Sequence, residues 1–182
     1  GDVIGVFGQT TQNAKFVANN KTSATNVTFS GEVGYTDTPK YCYYPYVNGA
    51  TNVNAVPLSL QNRQMMTDGI FDLAANNPRM GTITKLSSGK YKATTTSYMS
   101  YMKLKISAAG TDLYGMQLDK VTLKLDGAAL TGNFTGNLAT KTITPVKGET
   151  YDYAQTVTQS RPYLLSAVTA NMMIYPDIPA GS

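Results

Sequence analysis

Apolar and polar residues alternate most cleanly in Met102-Lys103-Leu104-Lys105-Ile106. Successive side chains of a pleated strand point to opposite sides, so Met102, Leu104 and Ile106 share one face and Lys103 and Lys105 the other. Val121-Thr122-Leu123-Lys124-Leu125 repeats the pattern. It predicts a neighbouring strand with one buried and one wet face, as in an antiparallel sheet. Further strands are expected at Val3 to Phe7, Asn26 to Phe29, Tyr41 to Val47, Gly132 to Leu138, Lys141 to Pro145 and Tyr151 to Thr158. The last long apolar segment, Leu164 to Tyr175, stops at Pro176. Met65 to Ala74 fits a helical turn or a short strand, because periodicity does not separate the two at that length.

Glycine, asparagine, aspartate and proline punctuate these segments. Asn48-Gly49, Asn76-Asn77-Pro78 and Asp126-Gly127 mark turns. Roughly nine to eleven strands in this rhythm predict an all-β fold. The expected form is one two-sheet antiparallel β-sandwich with little helix, spanning residues 1–176, with 177–182 as a tail or the start of a linker. Val3, Val6, Phe29, Tyr44, Phe134 and Ile174 join the inward residues of the two central strands in the expected core. Leu104 and Leu123 would then tolerate no charge, whereas Lys103 would be dispensable.

Composition narrows the chemistry. Hydrophobic residues make up 42% of the 182 positions, which suits a folded globular chain rather than a disordered one. The net charge is +4, but the lysines are dispersed among apolar residues, as on solvated strand faces, and predict no nucleic-acid partner. The single cysteine, Cys42, excludes an intrachain disulfide, and its place inside a strand predicts a small buried residue. With no histidine, a Ser-His-Asp triad and the commonest metal ligand are both excluded. Asp68 and Asp72 are the best candidates for a carboxylate pair, yet no motif surrounds them, and no catalytic role, metal or cofactor is expected. Asn20-Lys21-Thr22, Asn26-Val27-Thr28 and Asn133-Phe134-Thr135 fit the glycosylation pattern, which a chain rich in Asn and Thr meets by chance.

The run Tyr41-Cys42-Tyr43-Tyr44-Pro45-Tyr46 is the most distinctive local feature. Aromatic residues favour an extended strand, and Pro45, which donates no backbone hydrogen bond, places its end at an edge or bend. Tyr41, Tyr43 and Tyr46 are candidate contacts for a sugar ring or a partner if they lie exposed. The alternative is that half of the set packs in the core with hydroxyls bonded at its rim.

Taken in order, several segments resemble the N-terminal domain of the fimbrillin-like family of Bacteroidales, the type V pilins. They are Gly1-Asp2-Val3-Ile4-Gly5-Val6-Phe7, Tyr43-Tyr44-Pro45-Tyr46, Asp68 to Ala74, the two central strands, and Ile174-Tyr175-Pro176. The resemblance implies a transthyretin-like Greek-key domain and a structural, non-enzymatic role at the cell surface. A fimbrial subunit would mediate adhesion and join its neighbours by strand exchange. Its expected partners are other fimbrial subunits, with host or bacterial surface glycans or proteins as ligands. It would reach the outer membrane only through a lipid anchor that is not in this chain. The resemblance also implies that the first family strand is missing, so that Val3, Ile4 and Val6 would border a groove for an incoming strand. The alternative function is a carbohydrate-binding module of a surface glycan system.

Overall fold

A computed structural model describes residues 2–19, 26–60, 63–67, 70–71, 77–98, 102–106, 112, 116–124, 132–146, 154–164 and 170–174. Among the described residues there are fifteen strands and no helix. The chain divides into two compact units. The first comprises residues 1–58, 77–98 and 133–146, and the second 59–76, 99–132 and 147–182.

The first unit is a β-sandwich. Its larger sheet has six antiparallel strands in the order β3-β2-β1-β4-β8-β9. These are β1 (Val3–Phe7), β2 (Ala14–Ala18), β3 (Phe29–Ser30), β4 (Tyr41–Tyr44), β8 (Arg79–Lys85) and β9 (Tyr91–Ser97). Strands β1 to β3 form a meander, and β4 returns to pair with β1, which is a Greek key. The smaller sheet runs β13-β12-β5, built from β13 (Thr142–Pro145), β12 (Gly132–Asn137) and β5 (Val56–Leu60).

Alternation decides how the two sheets meet. In β5, Val56, Leu58 and Leu60 are buried while Pro57 and Ser59 are exposed. In β12, Phe134 and Gly136 point inward, followed by buried Leu138. From the larger sheet, Met80 reaches Gly136: a Cβ placed there would come within 2.6 Å of the Met80 sulfur and 2.8 Å of a Leu58 methyl. Glycine is needed at this point because the sheets approach closely over it.

The larger sheet is apolar on its other face too. Val6 pairs with Cys42, and with Ile4 they form a buried cluster, flanked by half-buried Ala14, Phe16, Phe29, Val33, Tyr44 and Ile83. Strand β1 is therefore a nearly unbroken apolar run, as expected of a strand covered on both faces. Cys42 is fully buried, as its sequence setting predicts, and burial pushes its thiol up to about 11.

In the second unit, β6 (Arg63–Thr67) and β7 (Ile70–Phe71) are strands, which resolves the ambiguity of Met65 to Ala74 for those residues. The sheet order there is β11 (Gln117–Lys124), β14 (Ala154–Leu164), β6, β7, and a separate pair joins β10 (Met102–Ile106) to β15 (Ala170–Ile174). One expectation is corrected. Strand β10 (Met102–Ile106) pairs with β15 (Ala170–Ile174), and β11 (Gln117–Lys124) pairs with β14 (Ala154–Leu164), so the two alternating strands are not neighbours. The pairing of β14 with β6 is parallel. Each strand finds the partner that the chain's return path offers, and alternation alone specifies a face, not a neighbour. The facing of Met102, Leu104, Leu123 and Lys103, and the burial of Ile174, lie outside the described side chains.

Leu58→Ala should destabilise the protein by about 2–5 kcal/mol through lost burial and a residual cavity. Ser59→Ala, one residue on and outward-facing, should change stability by less than about 0.5 kcal/mol. Urea unfolding of both variants checks this, and equal effects would contradict the alternation of β5.

Candidate strand-pairing surface

The aromatic strand is sorted by its register. Gly5 lies opposite Tyr43, and the missing side chain at Gly5 leaves the space that the Tyr43 ring fills. Tyr43 is fully buried and packs against Phe7, with ring centroids 6.1 Å apart. Its hydroxyl donates to Asn13 Oδ1 at 2.8 Å and accepts from the Val47 N–H at 3.1 Å. Asn13, held at φ 53°, returns its side-chain N–H to the Val47 carbonyl at 2.8 Å. This small ring of bonds ties the β1–β2 connection to the chain leaving β4 through the cis Tyr44–Pro45 peptide bond. Burial raises the Tyr43 hydroxyl above its ordinary pKa, outweighing the bonds from Val47 and Asn13 that lower it.

Tyr43 is thus a core residue and not an exposed contact; it takes the place expected of Tyr44, which is half-buried. Tyr41 is half-buried as well. Tyr46 is half-buried, with the Lys15 ammonium 5.9 Å from its ring centroid and its hydroxyl 3.4 Å from Asn48 Oδ1. The three tyrosines proposed for contact therefore do not form one exposed platform. Val3, Ile4 and Val6 do not border an edge groove either. Strand β1 pairs with β2 on one side and β4 on the other, so its backbone is already satisfied. Asp68 and Asp72 lie outside the described residues.

A carboxylate clamp secures the same end of β1. Asp37 accepts the backbone N–H groups of Gln9 at 2.7 Å, Thr10 at 3.1 Å and Thr11 at 2.5 Å. Its side chain occupies the space beside Gly8, where a Cβ would collide with it. The Thr11 side chain, followed by the backbone donors, holds the Asp37 carboxyl well below the usual carboxylate range against an opposing desolvation effect.

The exposed edges of the sandwich differ in kind. Four strands are outermost in the two sheets: β3, β9, β5 and β13. Strand β3 has only two residues. Strand β5 carries Pro57, and β13 ends in Pro145. Short strands and prolines are the ordinary devices that prevent an edge from pairing with another chain. Strand β9 has neither. It is seven residues long, reads Tyr-Lys-Ala-Thr-Thr-Thr-Ser, and carries one charge, Lys92. Its first four side chains are exposed, and among the described residues no strand lies beyond it.

The backbone groups that β9 offers follow from its pairing with β8. Leu86 N–H donates to the Lys90 carbonyl at 2.7 Å, just beyond the Lys85–Tyr91 pair. At the other end Tyr98 N–H donates to the Pro78 carbonyl at 3.4 Å, just beyond Arg79–Ser97. Hydrogen-bonded and non-bonded pairs alternate along an antiparallel ladder. Lys92, Thr94 and Thr96 therefore bond inward to β8. The N–H and C=O groups of Tyr91, Ala93 and Thr95 point outward. Ile83 agrees with this phase, since its N–H donates away from β9 to the Lys40 carbonyl at 2.8 Å.

Sequence reasoning missed this strand because it has no apolar alternation. Its signal was a run of β-branched threonines after Gly89, which closes the β8–β9 turn at φ 79°. Comparison with protein-family models, curated proteins and solved structures finds no match.

Tyr43→Phe keeps the ring but leaves the Asn13 oxygen and the Val47 N–H without their partner. It should lower stability by about 1–3 kcal/mol in denaturant unfolding, with the fold unchanged by circular dichroism. Asp37→Ala should lower the melting temperature at pH 7. Because the folded carboxyl is depressed, its contribution is complete above the unfolded pKa of about 3.9 and is lost as pH falls further. The gap between wild type and Asp37→Ala should therefore close on acidification below that value, and a gap independent of pH would show that the carboxylate charge is not what holds the clamp.

Proposed function

We propose that this protein is a structural subunit of a cell-surface fimbria that mediates adhesion, its copies joined through β-strand pairing or exchange. The observation that carries the reading is the seven-residue outer strand β9, beyond which no described strand lies, on a Greek-key sandwich whose other described edges are short or proline-bearing. An added strand there would satisfy outward N–H and C=O groups and extend the sheet, which is the physical basis of strand-mediated assembly. The segments that resemble fimbrillins point the same way. They include Val3 to Phe7, which is β1, and Tyr41 to Tyr44, which is β4. In this reading the partners are other fimbrial subunits, and the protein works at the cell surface with no reacting centre.

The acceptor differs from the one the resemblance implies, because β1 is an interior strand. In this reading the joining strand is received at β9, an outer strand of the same sheet. The glycan-binding alternative draws less support, since the full burial of Tyr43 breaks up the aromatic platform it needs.

Mechanical shearing of the source cells, followed by immunoblotting and immunogold electron microscopy, tests the proposal. The protein should appear in the sheared appendage fraction and decorate filaments. Recovery solely from the cytosol would overturn it.

A further inference from the structure

We infer that the closed end of the β8–β9 hairpin binds an acidic polysaccharide, with Tyr91 stacked on a sugar ring and Lys85, Lys90 and Lys92 meeting carboxylate or sulfate groups. The basis is a segregation of charge. Between Asp72 and Asp112 the chain carries six basic residues and no acidic one. Along the sequence these read as separate solvated positions, but the register gathers three of the lysines at one end. Lys85 lies opposite Tyr91, Lys92 lies opposite Thr84, and the Lys90 carbonyl accepts the Leu86 N–H. Lys40, just before β4, joins them, since its carbonyl accepts the Ile83 N–H at 2.8 Å. All four are exposed, and among the described residues none is paired with a carboxylate. Asp37, in the segment that leads to Lys40, turns its oxygens to the backbone of Gln9, Thr10 and Thr11. A positive patch without counter-charges raises the local concentration of anionic ligands.

A second observation narrows the ligand. Tyr91 is 43% exposed and is the only aromatic residue between Arg79 and Ser97. It stands beside Lys85, because directly opposed residues hold their Cβ atoms about 4.5–5.5 Å apart. The C–H bonds of a sugar ring suit the negative face of tyrosine, and acidic groups on that ring then come within reach of the lysine. The turn is held ready: Gly89, at φ 79°, donates to the Leu86 carbonyl at 3.0 Å, and Leu86 N–H donates to Lys90 at 2.7 Å. Ser87 and Ser88 expose hydroxyl groups at its tip. That polar tip suits sugar oxygens and not a bilayer, which would need an apolar face to bury. A single ring suits one sugar and not a nucleic-acid strand, whose bases stack on successive aromatics. A strand added at β9 would use backbone groups and leave these side chains in place. The inference rests on the charge and the ring of the hairpin and not on the fimbrial reading.

Biolayer interferometry of the full chain tests it, with heparin and polygalacturonate as the sulfated and carboxylated polymers and dextran as the neutral one. The wild type should bind at least one acidic polymer and not dextran, and bind it more weakly as salt rises. Lys85→Gln/Lys90→Gln should raise the dissociation constant at least about tenfold. Lys15→Gln/Lys141→Gln removes the same charge from other exposed positions and should raise it less than about threefold. Tyr91→Ala should also weaken binding by at least about threefold, while Tyr91→Phe, which keeps the ring, should bind like the wild type. No binding of either acidic polymer at about 50 mM salt would overturn the inference. So would equal losses in the two lysine pairs, which mark attraction by net charge alone, or full binding by Tyr91→Ala. Tighter binding to polyglutamate, single-stranded DNA, or vesicles of phosphatidylcholine and phosphatidylglycerol would overturn it as well. Polysaccharide binding by a protein found only in the cytosol would sustain the inference and sink the fimbrial proposal. Filaments built from a chain that binds neither acidic polymer would do the opposite.

Discussion

The sandwich depends on the place where the Tyr43 ring lies over Gly5. Strand β1 is covered on both faces and has little room for a large neighbour. Gly5 makes that room, and Tyr43 fills it with a ring whose hydroxyl still reaches the polar rim. The apolar part removes area from water, and the hydroxyl avoids the penalty of burying an unpaired polar group. Its partners, Asn13 and Val47, come from the two connections that flank β1 and β4. Asp37 restrains the next stretch of the first connection through three backbone donors. The local order of the Greek key is thus held by side chains that bond to backbone at the strand ends, while the strands themselves supply apolar faces.

Two consequences follow for the larger sheet. Its inner face, with Met80 over Gly136, has a second sheet to bury against. Its outer face, with Ile4, Val6 and Cys42, is flanked by half-buried aromatic and aliphatic residues, including Val33 from the segment between β3 and β4. The segment around Gly31 lies close on Phe16, since a Cβ at Gly31 would come within 2.5 Å of that ring. A sheet with two apolar faces is more demanding than one with a wet side. It explains why Cys42 and Tyr43, adjacent in sequence and opposite in direction, are both fully buried.

Much of this was legible in the sequence, and the gaps have physical causes. Val3 to Phe7, Tyr41 to Tyr44 and Gly132 to Asn137 were marked by β-branched and aromatic residues between breakers, and they are strands. The Asn48-Gly49 turn was equally plain, and Gly49 adopts φ 80° there. Val56-Pro57-Leu58-Ser59-Leu60 alternates as well as any segment in the chain. It went unread because proline argues against a central strand, whereas β5 is an outer one. Tyr44 was preferred to Tyr43 because alternation fixes relative facing but not which face has the space. That information sat in Gly5, a glycine inside an apolar run, which signals close approach by another group. Strand partners were the least legible feature. The chain enters the first unit three times, and pairing across such separations depends on the whole fold, with no local signature.

Strand β9 was invisible to hydrophobic patterning for the same reason that it is informative. A strand at the rim of a sheet needs no buried face, so threonine and lysine suffice, and only its backbone requires a partner on one side. Tyr91, Ala93 and Thr95 direct their N–H and C=O groups away from β8. Selection against unwanted pairing ordinarily shortens such an edge or interrupts it. The other outer strands of the sandwich show both devices, so the fold tolerates them readily. Their absence from β9 alone is a difference of sequence. Because most of its side chains are already exposed, an added strand would satisfy the backbone without disturbing the core at Met80 and Gly136.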